Sequence, residues 1–125
     1  METGSECILC VADSTIRLNY IARTLKKAGH NVLLTSSAHH AVAIVAISKK
    51  LDAVVIDEDM VFGGCSVAES IKAVKPVPIL LVCDAGPSGA LPAGVDLITA
   101  NGSRQQIAGA LSKLLKAQAS LRTSA

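Results

Sequence analysis

Short, nearly uninterrupted apolar runs alternate along this chain with longer segments in which apolar residues recur every three or four positions. Cys7-Ile-Leu-Cys-Val-Ala12 is the first run. It has no polar face, which predicts a strand buried on both sides. Asp13 and Ser14 follow as candidate caps, and Leu18, Ile21, Ala22 and Leu25 then form the apolar stripe of a helix. Gly29 stands where a helix ends on a left-handed residue. The cycle repeats: Asn31 to Thr35 predicts a second strand, and Ser36 and Ser37 open an Ala/Val/Ile-rich helix reaching Lys49. Asp52-Ala-Val-Val-Ile-Asp57 is a third strand; after the turn at Gly63-Gly64, a helix runs from about Ser66 to Val74 and stops before Pro76. Pro78-Ile-Leu-Leu-Val-Cys83 predicts a fourth strand and Val95 to Thr99 a fifth. Ser103 caps a last helix through Ile107, Leu111, Leu114 and Leu115, and the polar sequence from Gln118 predicts a frayed tail.

Strands that alternate with helices across short loops require right-handed crossovers, and so a parallel sheet with helices on both faces. Five strands in 125 residues predict an open, doubly wound α/β sheet, since an eightfold barrel needs about twice the length. The weak crossover is the fourth. Gly86-Pro-Ser-Gly-Ala-Leu-Pro-Ala-Gly94 holds three glycines and two prolines in nine residues, which predicts a fourth helix that is short or irregular. With no repeat, linker or low-complexity segment, the pattern predicts one domain over residues 1–125 with its core at about 7–117.

Composition narrows the class. Half the residues are apolar but only 2% are aromatic, so the core has to be built from Val, Ile, Leu and Ala. Twelve Lys and Arg against ten Asp and Glu leave a charge of +2, far from the basic excess of a nucleic-acid binder or the charge of a disordered polyelectrolyte. No apolar run approaches the roughly 20 residues of a membrane span. The start, Met1-Glu-Thr-Gly-Ser-Glu6, lacks the features of a signal peptide. Four cysteines in such a chain are expected to be reduced thiols, and the expected compartment is the cytoplasm.

The acidic residues are not scattered. Five of the ten directly follow strands: Asp13 after the first, Asp57, Glu58 and Asp59 after the third, Asp84 after the fourth. In a parallel sheet these strand ends share one edge, where ligands bind. Two carboxylates about 4 Å apart repel by about 4 kcal/mol at an effective dielectric of about 20, a conflict that a cation, a proton or a partner Lys or Arg relieves. Oxygen ligands at such an edge favour a hard ion such as Mg²⁺; the plainer reading is that acidic loop residues are solvated, or that Asp13 caps its helix.

Ile-Leu-Cys-Val-Ala-Asp13, Arg17, Leu25, Gly29, Asp52-Ala-Val-Val-Ile-Asp57, Gly64, Pro78-Ile-Leu-Leu-Val-Cys83 and Gly94-Val-Asp96, in this order and spacing, resemble the receiver domain of bacterial two-component response regulators, from about Cys7 to Leu115. The resemblance implies a flavodoxin-like five-stranded parallel sheet in order 2-1-3-4-5. It also implies transfer of a phosphoryl group from a histidine kinase to an aspartate, with Mg²⁺. On that reading Asp57 falls at the phosphoacceptor, Asp13 at one metal-binding carboxylate, and Asp59 at the residue whose backbone carbonyl faces the metal. Several expected groups are replaced. Ala12 stands where the other acidic residue belongs, Cys83 where a hydroxyl belongs, and Asn101 at the lysine. Gly102, Ile98 and Val61 replace a proline, an aromatic switch residue and a second proline. Phosphoryl transfer depends on neutralising the charge of the equatorial oxygens. Cys83 is a weak donor and Asn101 is uncharged, and each lost donor typically costs about 10²–10³ in rate.

The expectation is therefore a signalling and binding domain rather than an enzyme: a degenerate receiver that acts on a histidine kinase or another signalling protein, with no direct nucleic-acid or membrane contact and a weakened Mg²⁺ site. The alternative is a working phosphoacceptor at Asp57. A flavin or nucleotide role is remoter, because the first strand–helix turn, Ala12-Asp-Ser-Thr15, lacks a glycine fingerprint and only Tyr20 and Phe62 could stack on a flavin. Cys7-x-x-Cys10 is half a zinc or redox motif whose members point to opposite faces of a strand. His39-His40 reads as solvated surface, and Lys26-Lys27, Lys49-Lys50, Lys72 and Lys75 read as helix-end cations.

Overall fold

The computed structural model describes residues 6–58, 63–84, 91–100 and 104–124. Its elements run β1 (Cys7–Val11), α1 (Thr15–Lys27), β2 (Asn31–Thr35), α2 (Ala38–Ile47), β3 (Ala53–Asp57), α3 (Gly64–Val74), β4 (Ile79–Cys83), β5 (Leu97–Ala100) and α4 (Arg104–Ser124). All five strands are parallel and lie in the order β2-β1-β3-β4-β5. This is the flavodoxin-like doubly wound sheet that the sequence predicts, with four helices among the described residues.

The alternation of side chains along a strand divides the core into two layers. Leu9 and Val11 of β1, Val54 and Ile56 of β3, and Ile79, Leu81 and Cys83 of β4 pack with Ala41 and Val45 of α2 and with Val67, Ala68 and Ile71 of α3. The residues between them, Ile8, Cys10, Ala53, Val55, Leu80 and Val82, pack with Leu18, Ile21 and Leu25 of α1 and with Ile107, Leu111 and Leu114 of α4. Each large aliphatic side chain so buried contributes about 1.5–3 kcal/mol. β2 is an edge strand, and its Leu33 and Leu34 remain exposed despite their apolar character.

Local chemistry sets the boundaries. Ser14, rather than Asp13, is the N-cap of α1, with its hydroxyl accepting the Arg17 N–H at 3.3 Å. Ser37 caps α2 in the same way through the His40 N–H. Gly29 takes the predicted left-handed conformation, φ +99°. α2 ends at Ile47, short of Lys49, because Ser48 turns extended. α3 begins two residues before the predicted Ser66, on the positive-φ Gly63.

β5 is shifted relative to the predicted Val95–Thr99. The Val95 N–H closes a turn on the Pro92 carbonyl at 3.1 Å, and Asp96 holds the start of β4 by accepting the Ile79 N–H at 2.8 Å. Of the fourth crossover, residues 91–96 carry a turn and no helix; residues 86–90 and Ser103 lie outside the described residues. α4 runs to Ser124, past Gln118, where the polar sequence predicted fraying; Ala117, Gln118, Ala119 and Leu121 are good helix formers. Two lysines do more than end their helix: Lys72 pairs with Asp96 at 2.7 Å, and Lys75 Nζ donates to the Ser48 carbonyl at 2.6 Å.

Candidate functional site

β1, β3 and β4 all end at one edge, and their registers put Val11 beside Ile56 and Asp57 beside Val82. Asp57 is the last residue of β3 and is completely buried. A carboxylate so placed is costly to ionise without a partner, and the partner comes from α1. Arg17 Nε donates to Asp57 Oδ2 at 2.5 Å and Nη2 donates to Asp57 Oδ1 at 2.8 Å. This is the two-pronged match of guanidinium to carboxylate. Nη2 also donates to Asp84 Oδ1 at 2.9 Å. The Asp57 hydrogen bond, followed by that to Asp84, holds Arg17 still more firmly in its charged form, against the opposing effect of its partial burial. Asp84 is largely exposed, so the network runs from the buried end of β3 out to the surface.

Strand parity explains why α1 supplies the cation. Ala53 and Val55 of β3 face α1 and α4, and Asp57 continues that set. Arg17 sits in the first turn of α1, a turn without an acidic residue, where a cation opposes the helix macrodipole. The sequence pattern alone assigns Arg17 no role in the site. An unexplained cation in a first helical turn was the signal that could have raised one.

The other predicted site residues fall as follows. Asp13 lies half-buried just beyond β1, following the fully buried Ala12, whose N–H donates to the Thr35 carbonyl at 3.3 Å. Cys83 closes β4 but packs with Ile79 and Leu81 in the layer facing α3. Burial, and then the neighbouring Glu58 carboxylate, push its thiol up to about 11, so it stays neutral near neutral pH. Asp59, Val61, Phe62, Asn101 and Gly102 lie outside the described residues. All four cysteines are free thiols. His39 and His40 are exposed. Among the described residues, no three His, Cys, Asp or Glu side chains gather into a metal-binding group, and no helix is long and apolar enough to cross a membrane. A groove of about 370 Å³ between α2 and α3, lined by Ala38, His39, Val42, Ser66, Val67 and Ser70, involves none of the Asp57 network.

The donor chemistry does not fit a divalent ion. Both Asp57 oxygens accept hydrogen bonds from a guanidinium, and the carboxylate the resemblance would place before Asp13 is Ala12. Mg²⁺ requires near-octahedral oxygen coordination, and here a fixed positive charge stands against the principal oxygens.

No protein-family model and no curated protein sequence matches this chain. Its structure, however, is similar to many solved structures. A response regulator receiver protein from Sinorhizobium medicae WSM419 is 26% identical over 93% of this chain and 98% of its own, with a TM-score of 0.75. A response regulator receiver domain protein from Clostridium thermocellum is 20% identical over 93% and 98%, with a TM-score of 0.79. A CheY-like receiver domain protein from Methanospirillum hungatei JF-1 is 19% identical over 94% and 98%, with a TM-score of 0.78. The chain has the fold of the response-regulator receiver domain.

Proposed function

We propose that this chain is a receiver-like signalling module in which the receiver fold serves as a binding scaffold and Asp57 is a structural ion-pair partner rather than a phosphoacceptor. Its partner on this reading is a histidine kinase or another signalling protein, met in the cytoplasm. The observation that carries the reading is the pairing of both Asp57 oxygens with Arg17. A carboxylate that attacks a phosphoryl group needs an approachable oxygen and a cation that can also reach the incoming oxygens. A guanidinium paired with both carboxylate oxygens crowds that approach and is itself already engaged by Asp57 and Asp84. The substitutions at Cys83 and Asn101 act in the same direction, since they remove a hydroxyl donor and a positive charge.

The test is incubation with Mg²⁺ and acetyl phosphate, and separately with ATP and a histidine kinase, followed by intact-mass measurement. The expected result is an unmodified chain. A phosphoryl adduct on the wild type that is absent from Asp57→Asn would overturn the reading. It would establish instead the phosphoacceptor alternative, which the position of Asp57 at the carboxyl end of the central strand β3 supports.

A further inference from the structure

The metal site that the receiver resemblance implies and the donors present at Asp57 disagree, and the disagreement has a specific cause. We infer that Arg17 is a resident cation that takes the place of a divalent metal ion at Asp57, so that the site is complete without a metal and excludes Mg²⁺. The inference rests on the proposed reading of Asp57 as an ion-pair partner and goes further, by naming the side chain that makes the exclusion.

Three features on this edge of the sheet support it. The first is charge. A buried carboxylate needs a counter-charge at contact distance, and the guanidinium supplies it with two hydrogen bonds of 2.5 and 2.8 Å. A metal ion would have to share these oxygens with the guanidinium or displace it, and in either case would sit beside its positive charge. The second is tethering. Arg17 does not rest on Asp57 alone, because its Nη2 also holds Asp84 Oδ1 at 2.9 Å, and its own backbone N–H is fixed by the Ser14 cap. The side chain is therefore held at both its root and its tip. The third is the residue at position 12. A metal gains affinity from each added carboxylate, whereas one guanidinium already balances the buried Asp57 charge without a second acidic residue at this strand end. Ala12, buried without exposure, suits the second arrangement.

The experiment compares the wild-type chain with Arg17→Met, which keeps the aliphatic stem and removes the charge. Amide NMR spectra of both are followed as MgCl₂ is raised to tens of millimolar, with KCl at matched ionic strength as control. Melting temperatures are read under the same conditions, because a ligand that binds only the folded state raises the melting temperature. The expected result is a wild type that does not respond beyond the KCl control. The variant should show shifts centred on Asp13 and Asp57 and a melting temperature that climbs with Mg²⁺. A wild type that binds Mg²⁺ as the variant does overturns the inference. So does a variant that stays silent, since the missing carboxylate at Ala12 rather than Arg17 would then be what excludes the ion.

If Arg17→Met does not fold, two measurements decide. Arg17→Gln, neutral but still able to hydrogen-bond, replaces it in both assays. In the wild type, the Arg17 Nε–H resonance should persist unchanged through the Mg²⁺ titration, and its loss or displacement overturns the inference. Acetyl phosphate and mass measurement run alongside. A wild type that binds Mg²⁺ and stays unphosphorylated fails the inference and leaves the proposed function standing, whereas one that is phosphorylated at Asp57 fails the proposed function.

Discussion

Gly64 passes so close to Asp57 that a Cβ built on it would lie 2.8 Å from the Asp57 carbonyl oxygen, with Glu58 Cα and Leu81 Cδ1 each 2.9 Å away. The start of α3 is thus pressed directly against the end of β3, and the Gly64 N–H donates to the Glu58 carbonyl at 3.3 Å. Two of the three obstructing atoms are backbone and cannot turn aside. Gly64→Ala is expected to destabilise the fold by about 1–3 kcal/mol, the usual cost of overpacking, read as a lowered urea midpoint at unchanged m-value. An unchanged midpoint would mean that α3 does not approach β3 this closely.

The Arg17–Asp57 pair makes an asymmetric prediction. Arg17→Ala strands a fully buried carboxylate, and breaking such a pair costs about 3–5 kcal/mol. Replacing both partners with apolar side chains, Arg17→Met with Asp57→Leu, should cost less than Arg17→Ala alone, because no buried charge is left behind. Asp84→Ala should cost less than about 1 kcal/mol, since Asp84 is exposed at 69%. Chemical denaturation of the three variants and the wild type measures all three differences.

At the opposite edge of the sheet, two aspartates do the same job. Asp52 Oδ2 accepts the Cys7 N–H at 2.8 Å where β1 begins, and Asp96 Oδ2 accepts the Ile79 N–H at 2.8 Å where β4 begins. Asp96 also pairs with Lys72. Removing a charged acceptor from a part-buried N–H costs about 1–3 kcal/mol. Asp52→Ala and Asp96→Ala should each fall in that range and be additive, because they act on different strands. Additivity is checked by denaturing the double variant.

Alkaline stability should depend on Cys10. Burial pushes its thiol from 9.0 up to about 12, with Lys26 pulling weakly the other way. Between these values the unfolded chain has lost the proton and the folded chain keeps it. The thiol's contribution to stability is therefore intact below about pH 9 and is lost as pH rises toward 12. The slope is on the order of 1 kcal/mol per pH unit. Cys83, raised to about 11, acts in the same direction. Thermal melts at about pH 8 and about pH 10 should show a larger drop for the wild type than for Cys10→Ala; equal drops would place the thiol in a wetter site.

The central strands were legible because a strand buried on both faces has no choice of residue: β1, β3 and β4 are nearly continuous Ile, Leu, Val and Ala. β5 starts later than its apolar pattern predicts because Val95 and Asp96, which continue that pattern, are used instead to close a turn and to hold β4. The acidic edge was legible as well, since it follows from where the strands end. Its cation was not. Arg17 and Asp57 are 40 residues apart, and their meeting depends on β1 lying beside β3 and on Asp57 sharing the parity of Ala53 and Val55. Neither relation is written locally in the sequence of α1.

The alternation that divides the core also decides what each end of Asp57 meets. Its side chain is fastened to α1, and its carbonyl is braced by α3, so the two ends of one residue lead to opposite sides of the sheet. Asp57 is thus the residue at which both helical layers meet the end of β3, α1 at its carboxylate and α3 at its carbonyl.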